Sequence, residues 1–596
     1  MIGRFRPVFF LLAVVVVSVW WIVFQNPEAS RVYIFKGVSG PVAASKLDAP
    51  AGARIEDFEH GSPNRLAVLV TDPSSGWLGL VRTFRAHGIP VTFTRNPAVA
   101  LTHRVILVYP MISGRALSGD TLRALAAHVR SGGTVLGFEL AGGGLEPLFG
   151  VEDGVESRAR SAVAWSHRTG VPQEDLIAVS HSGEDDMGTI GYRATTARVL
   201  GTFDDGSAAV TCRTTVGQAC LMGVDLGALA GRAMNGRAEG IGRTYVNGYE
   251  PSLDVLVDWV RDLYVANEPM PWLVSTVPAG KDTAILLSHD VDFTRSVVNS
   301  KTYGEALRRL NVDATFFVQT KYVRDYNDDI FFNDRTVPML KALARSGMDV
   351  ESHSVAHART FKAMELGTGR ERYPDYVPFV VDAKTTKDAT ILGELRVSKF
   401  LLESLLSTRV RTFRPGYLAY PFKLPQALAA TGYGYSSSIT ANATLTHLPF
   451  QLTNGRADDA LSPVFEFPVT IEDEEPPGIV KRQGAANGVI ERVARGHGIV
   501  VVLVHPDVTA GKLAFETQLV RDWRDRAWVG SVTAFGDWWR ARDLADVDLV
   551  RQDGRWVIEA GGGPEIKDLL VLTPKGPSPS LRITRSAGQR TATAIP

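Results

Sequence analysis

The stretch Ala284-Ile-Leu-Leu-Ser-His289-Asp290-Val-Asp292 joins an apolar run to two carboxylates, and it decides the fold of the second half of the chain. The apolar residues predict a buried strand. Asp290 and Asp292 are two residues apart, and alternate residues of an extended chain project to the same side. Both carboxylates are therefore expected to face one cavity at the carboxyl end of this strand.

Three later apolar runs also end in polar residues suited to chemistry. One is followed by His353 and His357, whose spacing of four residues lets two imidazoles hold one ion. A second leads to Arg414 and Tyr417, and a third ends at His505. Barrel enzymes collect their catalytic groups at the carboxyl ends of their strands. We therefore expect all of these side chains to meet at one edge of a parallel sheet.

Residues 271–545 are predicted to form one α/β domain. Helical stretches separate several of its apolar strands, and this alternation is typical of parallel sheets. The number of strands favours a deformed (β/α)7 barrel over an open sheet. The strands are expected at residues 284–288, 314–319, 348–352, 410–414, 433–438, 464–468 and 499–505.

In the order of these motifs, the domain resembles the NodB-type polysaccharide deacetylases of carbohydrate esterase family 4. The resemblance covers close to half of the chain. It implies a metal-dependent hydrolase that removes acetyl groups from a polysaccharide, either an N-acetylhexosamine polymer or an O-acetylated glycan. It also implies that Asp290 is the general base, that Arg414 orients this base, and that His505 is the general acid.

The same resemblance implies one metal site. Its ligands would be Asp292, His353 and His357, and the ion would be divalent, Zn²⁺ before Co²⁺ or Ni²⁺. One carboxylate and two imidazoles leave a coordination position open, as catalytic zinc sites do. A metal ion there lowers the pKa of bound water and polarises a carbonyl group. Tyr417 would offer its backbone N–H to the oxyanion, although Gly416 reshapes the turn expected from the family.

Two departures from the family pattern and one acidic run carry expectations of their own. The usual aromatic-Asp-Asp-Gly start is replaced by His289-Asp290-Val291-Asp292, and His289 is interpreted as a packed side chain beside the site. A D-x-x-D-W-like motif, which would line the groove and tune His505, is not found near residues 433–440. The acidic run 472–475 is followed by Pro476 and Pro477 and is interpreted as a solvated loop.

Two other functions stay open. A glycan-binding component of an envelope or exopolysaccharide assembly could keep the groove and lack turnover. The two histidines and one carboxylate could instead form an iron(II) facial triad for oxygen chemistry. In that alternative, Arg414 and His505 would have no role in the reaction.

Residues 65–270 are predicted to form a separate α/β domain. Strands near 66–70, 90–94, 105–109 and 134–138 alternate with helical patterns, which indicates a parallel sheet. The pattern resembles flavodoxin-like and glutamine-amidotransferase-like domains, but no cysteine stands at a strand-to-helix turn to act as a nucleophile. A structural or binding role is therefore expected, and residues 25–64 are assigned to a linker.

Two short features of this domain have competing interpretations. The stretch Thr202-Phe-Asp-Asp-Gly206 matches the first deacetylase motif, but its position before a hairpin favours an ordinary turn. Cys212 and Cys220 flank a turn between two apolar strands. They could form a disulfide in an oxidising compartment or remain two unpaired core residues.

Residues 546–596 are predicted to add a small β appendage. Strand-like pieces lie at 547–551, 555–559 and 569–572, and Asp553-Gly554 is typical of a hairpin turn. The last twenty or so residues are expected to be disordered.

Residues 1–24 are predicted to anchor the protein in a membrane. Arg4 and Arg6 precede an uncharged run from Pro7 to Phe24, which is just long enough to cross a bilayer core at ~1.5 Å per residue. The positive end is expected to stay in the cytoplasm, with the bulk of this single-pass protein on the periplasmic or extracellular side. A cleaved signal peptide is the alternative, but no A-x-A-like site is evident.

The composition is that of a globular, multidomain protein. The chain has 596 residues, and 64 Lys and Arg balance 64 Asp and Glu, so the formal charge is zero and no nucleic-acid partner is indicated. Two cysteines cannot build a four-cysteine zinc site. The expected partners are an acetylated polysaccharide and, through the anchor, a membrane.

Overall fold

The computed structural model describes residues 31–48, 50–152, 154–180, 187–236, 240–454 and 460–595. The predicted anchor at residues 1–24 lies outside these ranges. Within them, no helix combines the length and the apolar character needed to cross a membrane.

The first unit is an α/β sandwich built on a mixed sheet. Its strands are β1 Leu66–Val70, β2 Val91–Thr94, β3 Val105–Ser113, β4 Thr134–Ala141, β5 Val155–Ser157, β6 Ala162–Trp165, β7 Leu176–Ala178, β8 Thr189–Gly191, β9 Arg198–Phe203, β10 Ala208–Thr214 and β11 Gln218–Met222. Its helices are α1 Trp77–Ala86, α2 Pro97–Ala100, α3 Gly119–Arg130, α4 Glu146–Phe149, α5 Pro172–Asp175, α6 Leu226–Ala233 and α7 Ser252–Asn267.

The strand order in this sheet is β2-β1-β3-β4-β11-β10-β9-β6-β7. The first five of these strands run parallel, and the remaining strands extend the sheet antiparallel. Every residue of β1 is buried, because helices cover both faces of the parallel part.

The turns on either side of β10 resolve both short features of the first unit. Asp204 and Asp205 lie in the turn between β9 and β10, where their carboxylates bond Ser161, Arg160 and Ser207, so the turn interpretation is confirmed. Cys212 faces Cys220 across the hairpin, and the two form a disulfide.

The second unit is a strongly curled sheet surrounded by helices. Its strands are β12 Leu273–Val274, β13 Thr283–Val291, β14 Thr315–Val318, β15 Asp349–Ser352, β16 Phe379–Asp382, β17 Thr385–Lys387, β18 Thr412–Phe413, β19 Tyr435–Ser436, β20 Phe450–Thr453, β21 Leu461–Glu466, β22 Val469–Ile471, β23 Ile499–Val504 and β24 Ala527–Gly530. Its helices are α8 Thr294–Arg309, α9 Val337–Arg345, α10 Ile391–Leu406, α11 Leu424–Ala430, α12 Ala441–Thr444, α13 Gln483–Arg495, α14 Ala510–Trp523 and α15 Val532–Asp543.

The order β20-β21-β19-β18-β15-β14-β13-β23-β22 shows how the sheet curls. Strands β21 and β22 are successive parts of one segment, and they pair with β19 and β23 respectively. This segment therefore links the two ends of the curl into a barrel-like shape. Every residue of β13 and β23 is buried, as expected for parallel strands covered on both faces.

Residues 31–48, which the sequence placed in a linker, lie along the second unit. The N–H of Tyr33 donates to the carbonyl of Tyr322 at 2.8 Å, and the N–H of Gly40 donates to that of Tyr373 at 3.0 Å. Arg396 donates to the carbonyl of Ala43 at 2.8 Å. This part of the chain is held in place by the barrel.

The C-terminal appendage contains more strands than its sequence indicated. They are β25 Asp546–Gln552, β26 Arg555–Gly561, β27 Ile566–Leu572, β28 Ser580–Arg585 and β29 Thr591–Ala594. The expectation that the last residues are disordered is wrong, because β28 pairs with β27 and β29 pairs with β26. The predicted hairpin turn is confirmed, with φ of 49° at Asp553 and 81° at Gly554.

Candidate active site

The carboxyl ends of four strands of one sheet bring the predicted residues together. Asp290 lies near the end of β13, which pairs in parallel with β14 and β23. Ser352 at the end of β15 is in register with Phe413 at the end of β18, so the next residues, His353 and Arg414, leave adjacent strands at the same level. The site is thus assembled by parallel register rather than by proximity in sequence.

The predicted metal ligands form a compact cluster. One ligand atom from each of Asp292, His353 and His357 lies within 4.8 Å of the other two. Oδ1 of Asp292 is 3.4 Å from Nε2 of His353 and 3.7 Å from Nε2 of His357. Among the residues that the structure describes, neither Oδ1 of Asp292 nor Nε2 of His353 has a hydrogen-bond partner, although both are buried.

The protonation of the two imidazoles also suits a cation. Nδ1 of His353 is 2.8 Å from the carbonyl oxygen of Arg414; a carbonyl only accepts, so Nδ1 carries the proton and Nε2 keeps its lone pair. Burial lowers the pKa of His353, and it lowers the pKa of His357 to about 4. Neutral imidazoles are the form that binds metals, so the donor set fits a divalent ion.

Gly416, which departs from the family pattern, lets His357 occupy this position. A Cβ built on Gly416 would lie 2.5 Å from Cδ2 of His357, closer than real Cβ contacts. The imidazole therefore packs directly on the backbone of the turn that follows β18. Tyr417 covers its other side, with the two ring centroids 4.8 Å apart.

Tyr417 lies at the rim of the site. Its side chain is 46% exposed, and the guanidinium of Arg359 stacks on its ring at 4.2 Å. Its φ of 58° and ψ of 19° are left-handed, a conformation that is uncommon for a residue other than glycine. Strained backbone of this kind is concentrated at functional sites.

Asp290 is held beside a fully buried guanidinium. Nη1 of Arg414 donates to Oδ1 of Asp290 at 2.8 Å. The other nitrogens of Arg414 donate to the hydroxyls of Ser288 and Ser437 and to the carbonyl of Ser437. Burial opposes ionisation of Asp290, but the charge and hydrogen bond of Arg414, together with the nearby His353 and His505, outweigh it and lower the pKa of Asp290 to about 2. Asp290 is therefore an ionised carboxylate at neutral pH.

His505 faces the cluster from the end of β23, and an aspartate holds it there. Nδ1 of His505 donates to Oδ1 of Asp473 at 2.7 Å, while the backbone N–H of His505 donates to Oδ2 at 2.9 Å. Nε2 of His505 is 3.8 Å from Oδ2 of Asp292. Burial would lower the pKa of His505, but the hydrogen bond and charge of Asp473, with the nearby Asp292 and Asp290, raise it to about 10.

Asp473 is the functional residue that the sequence interpretation missed. Its sequence context indicates a solvated loop, yet Asp473 is only 4% exposed. It also forms an ion pair with Lys512, whose Nζ lies 2.6 Å from Oδ2 of Asp473. The available signal was its position, since Asp473 follows β22 just as His505 follows β23, and these strands are neighbours. Asp473 contacts His505 in the way expected of the absent D-x-x-D-W-like motif.

His289 packs behind the site, as expected. Its ring stacks on Phe316 with centroids 4.3 Å apart, and its Nε2 lies 3.0 Å from a carboxylate oxygen of Glu516. Both members of this pair are fully buried. The pair supports the strand that carries Asp290.

Comparison with known proteins gives one match to a family model. Residues 280–436 match the model described as polysaccharide deacetylase. The matched segment includes Asp290, Arg414 and all three residues of the metal cluster, and it ends before Asp473 and His505. None of the curated proteins compared with the chain matches it.

Several solved structures are similar to part of the chain. A proposed polysaccharide deacetylase from Mycobacterium smegmatis is 18% identical, with a TM-score of 0.35, 47% of this chain covered and 99% of that one. A CE4 family pseudoenzyme from Bacillus anthracis is 15% identical, with a TM-score of 0.25 and coverages of 44% and 66%. A CE4 esterase from Streptococcus mutans is 16% identical, with a TM-score of 0.26 and coverages of 42% and 87%. The similarity shown by the family model is confined to residues 280–436.

Proposed function

We propose that the protein is a metal-dependent hydrolase that removes acetyl groups from an exported or cell-envelope polysaccharide. The observation that carries this proposal is the arrangement around the cluster of Asp292, His353 and His357. An ionised carboxylate stands on one side of this cluster and a protonated imidazole on the other. The pair separates the roles of base and acid at neutral pH.

Asp290 is the proposed general base. Its Oδ1 is held by Arg414, and its Oδ2 lies 3.6 Å from Nε2 of His353, so the carboxylate faces the cluster. The carboxylate takes a proton from the water that attacks the acetyl carbonyl. Arg414 keeps Asp290 ionised and fixes its direction.

A divalent ion held by Asp292, His353 and His357 would acidify the attacking water and polarise the acetyl carbonyl. Zn²⁺ is the proposed ion, because neutral imidazoles and a carboxylate are ligands that zinc accepts with one position left open. The backbone N–H of Tyr417 is the proposed donor to the oxyanion.

His505 is the proposed general acid. Its Nδ1 proton is committed to Asp473, so the proton that it can transfer is on Nε2, the nitrogen nearer to Asp292. This proton goes to the departing amine or alcohol as the carbon–nitrogen or carbon–oxygen bond breaks. Protonation then prevents the products from recombining.

Location and anchoring are part of the proposal. Residues 1–24 are proposed to hold the protein in the membrane, with the described units on the exported side. The disulfide between Cys212 and Cys220 supports an oxidising compartment. A reporter fused after residue 30 that stays in the cytoplasm would contradict this location.

Acetate release tests the proposed activity. The protein would be stripped with a chelator, reloaded with Zn²⁺ under anaerobic conditions, and assayed on N-acetylhexosamine oligomers and on O-acetylated glycans. Activity that disappears on chelation and returns with zinc supports the hydrolase and excludes iron-dependent oxygen chemistry. Glycan binding without acetate under every metal condition would instead identify a non-catalytic binding protein.

A further inference from the structure

A cavity away from the candidate active site lies between the first unit and the barrel. It has a volume of about 360 Å³, within the range typical of small-molecule sites. Helix α7 forms one wall, and the barrel contributes His447 and the segment from Val493 to Gly498. Gly498 precedes β23 and His505 follows it, so the cavity and the candidate active site lie at opposite ends of a strand ~20 Å long.

Aromatic rings line much of this cavity. Trp165 and Trp259 approach each other with centroids 6.3 Å apart, and Tyr249 stacks on His447 at 5.3 Å. Broad apolar faces of this kind contact the carbon–hydrogen face of a ring-shaped ligand. The faces of tryptophan and tyrosine also attract cations.

Carboxylates outnumber guanidinium groups in the lining. Its charged side chains include one guanidinium, that of Arg495, and a group of carboxylates, namely Glu174, Asp254, Asp258 and Asp262. Outside the lining, Arg261 pairs with both Asp258 and Asp262, at 2.5 and 3.1 Å. Glu174 accepts only from the hydroxyl of Tyr249, among the hydrogen bonds of the described residues. Asp254 lies 3.3 Å from Nε2 of His87, and burial raises the pKa of Asp258 to about 6. Glu174 and Asp262 therefore supply most of the remaining negative charge, which favours a cationic ligand.

Two buried hydrogen-bond donors of the lining residues have no acceptor among the described residues. Nε2 of His447 accepts from the N–H of Glu250 at 3.2 Å, so Nδ1 carries the proton. Within the described part of the chain, this Nδ1 and the indole nitrogen of Trp165 have no hydrogen-bond partner, although these residues are only 3% and 9% exposed. Buried donors are normally satisfied. Hydroxyl groups are acceptors of the kind that both donors lack.

We propose that this cavity binds the cationic amino sugars that deacetylation produces. The inference rests on the proposed function in its amide-cleaving form, because removal of an N-acetyl group leaves an amine that is protonated near neutral pH. The ring of such a sugar would stack on the tryptophan faces, and its ammonium group would pair with the carboxylates. Its hydroxyls are acceptors of the kind that the two unpartnered donors lack. An acetylated sugar lacks the charge.

Calorimetric titration of the full chain with a glucosamine tetramer tests this inference. The matched probes are the N-acetylglucosamine tetramer and tetralysine, which separate sugar recognition from charge alone. The test variant combines Glu174→Gln, at a partly exposed position, with Asp262→Asn, at an exposed one. Trp259→Phe provides a second variant that keeps an aromatic core contact. The controls are Glu305→Gln and Trp556→Ala, which lie outside the cavity.

The glucosamine tetramer is expected to bind at least tenfold more weakly to both cavity variants and unchanged to the controls. Acetate release from a short oligomer is expected to stay within twofold of the unmodified protein. The inference would be overturned if the cavity variants bound the glucosamine tetramer as tightly as the unmodified protein does. It would also be overturned if only His353→Ala lost this binding, or if tetralysine bound as tightly as the glucosamine tetramer. Absence of acetate release from every substrate would instead overturn the proposed function, and the titration would still report on the cavity.

Discussion

Nδ1 of His505 donates a 2.7 Å hydrogen bond to Oδ1 of Asp473, and this contact joins the ends of the neighbouring strands β22 and β23. It fixes the imidazole with its other nitrogen toward the cluster. It also stabilises the protonated form, so that a histidine beside a predicted cation site can still act as an acid. The account of catalysis depends on this pair as much as on the metal ligands.

Asp473→Asn is expected to lower kcat by about 10²-fold, within the range typical of general acid catalysis. Loss of the aspartate charge lowers the pKa of His505, and an acid must be protonated to act. The alkaline limb of the kcat/KM profile is therefore expected to move to lower pH. Glu475→Gln, in the same acidic run but exposed, is the control. An alkaline limb that stays in place in Asp473→Asn would contradict the role of this pair.

Arg414→Met is expected to destabilise the fold by ~3–5 kcal/mol, because it leaves Asp290 charged and buried without its partner. Urea unfolding measures the loss. Adding Asp290→Asn to Arg414→Met is expected to recover part of it, since the neutral amide has no charge to compensate. Strictly additive effects of the two changes would show that the ion pair is not coupled in the folded protein.

The pH dependence of stability follows from the same pair. The folded-state pKa of Asp290 is about 2, below its ordinary value of about 3.8, so folding favours the ionised form. The stability that the ionised Asp290 adds to the fold is fully present above about pH 4 and is lost as the pH falls through about 2. Urea unfolding between pH 5 and pH 2 is expected to show a smaller loss of stability for Asp290→Asn than for the unmodified protein. Equal losses would contradict the depressed pKa.

Gly416→Ala is expected to weaken metal binding by about 10–100-fold, because the new Cβ displaces the ring of His357. Equilibrium dialysis against Zn²⁺ measures the change. Gly484→Ala is the matched control, since a Cβ there meets no atom of the described residues within 4 Å. Unchanged zinc affinity in Gly416→Ala would show that His357 does not need this close approach.

Asp292→Ala and His353→Ala are each expected to abolish binding of a stoichiometric divalent ion. Both side chains present a buried ligand atom that has no hydrogen-bond partner among the described residues. Metal content after dialysis is the measurement, with far-ultraviolet circular dichroism to check folding. Retention of one ion per chain in both variants would place the metal elsewhere.

The sequence motifs predicted which residues lie at the strand ends of the candidate site. Asp290, His353, Arg414 and His505 each follow an apolar run, and short-range patterns are enough to identify such strand ends. The parallel register then brings them together without further information. The roles assigned to them came from the family resemblance and stay predictions.

Contacts between distant segments could not be predicted in this way. Asp473 becomes a partner of His505 only because β22 and β23 are neighbours, and a single sequence does not state which strands pair. The segment 31–48 looks like a linker by composition, yet its backbone forms hydrogen bonds with residues that lie far later in the chain, such as Tyr322 and Tyr373. The final strands are short and polar, and they are ordered by pairing with β26 and β27 rather than by their own propensity.

The central claim is that Asp290 acts as the base beside a metal held by other residues. The most direct measurement compares acetate release by the unmodified protein and by Asp290→Asn, both loaded with Zn²⁺, on an acetylated hexosamine oligomer. The account predicts equal zinc content and a rate at least about 10²-fold lower in the variant. A variant that loses its zinc, or that keeps the metal and releases acetate at the unmodified rate, would contradict it.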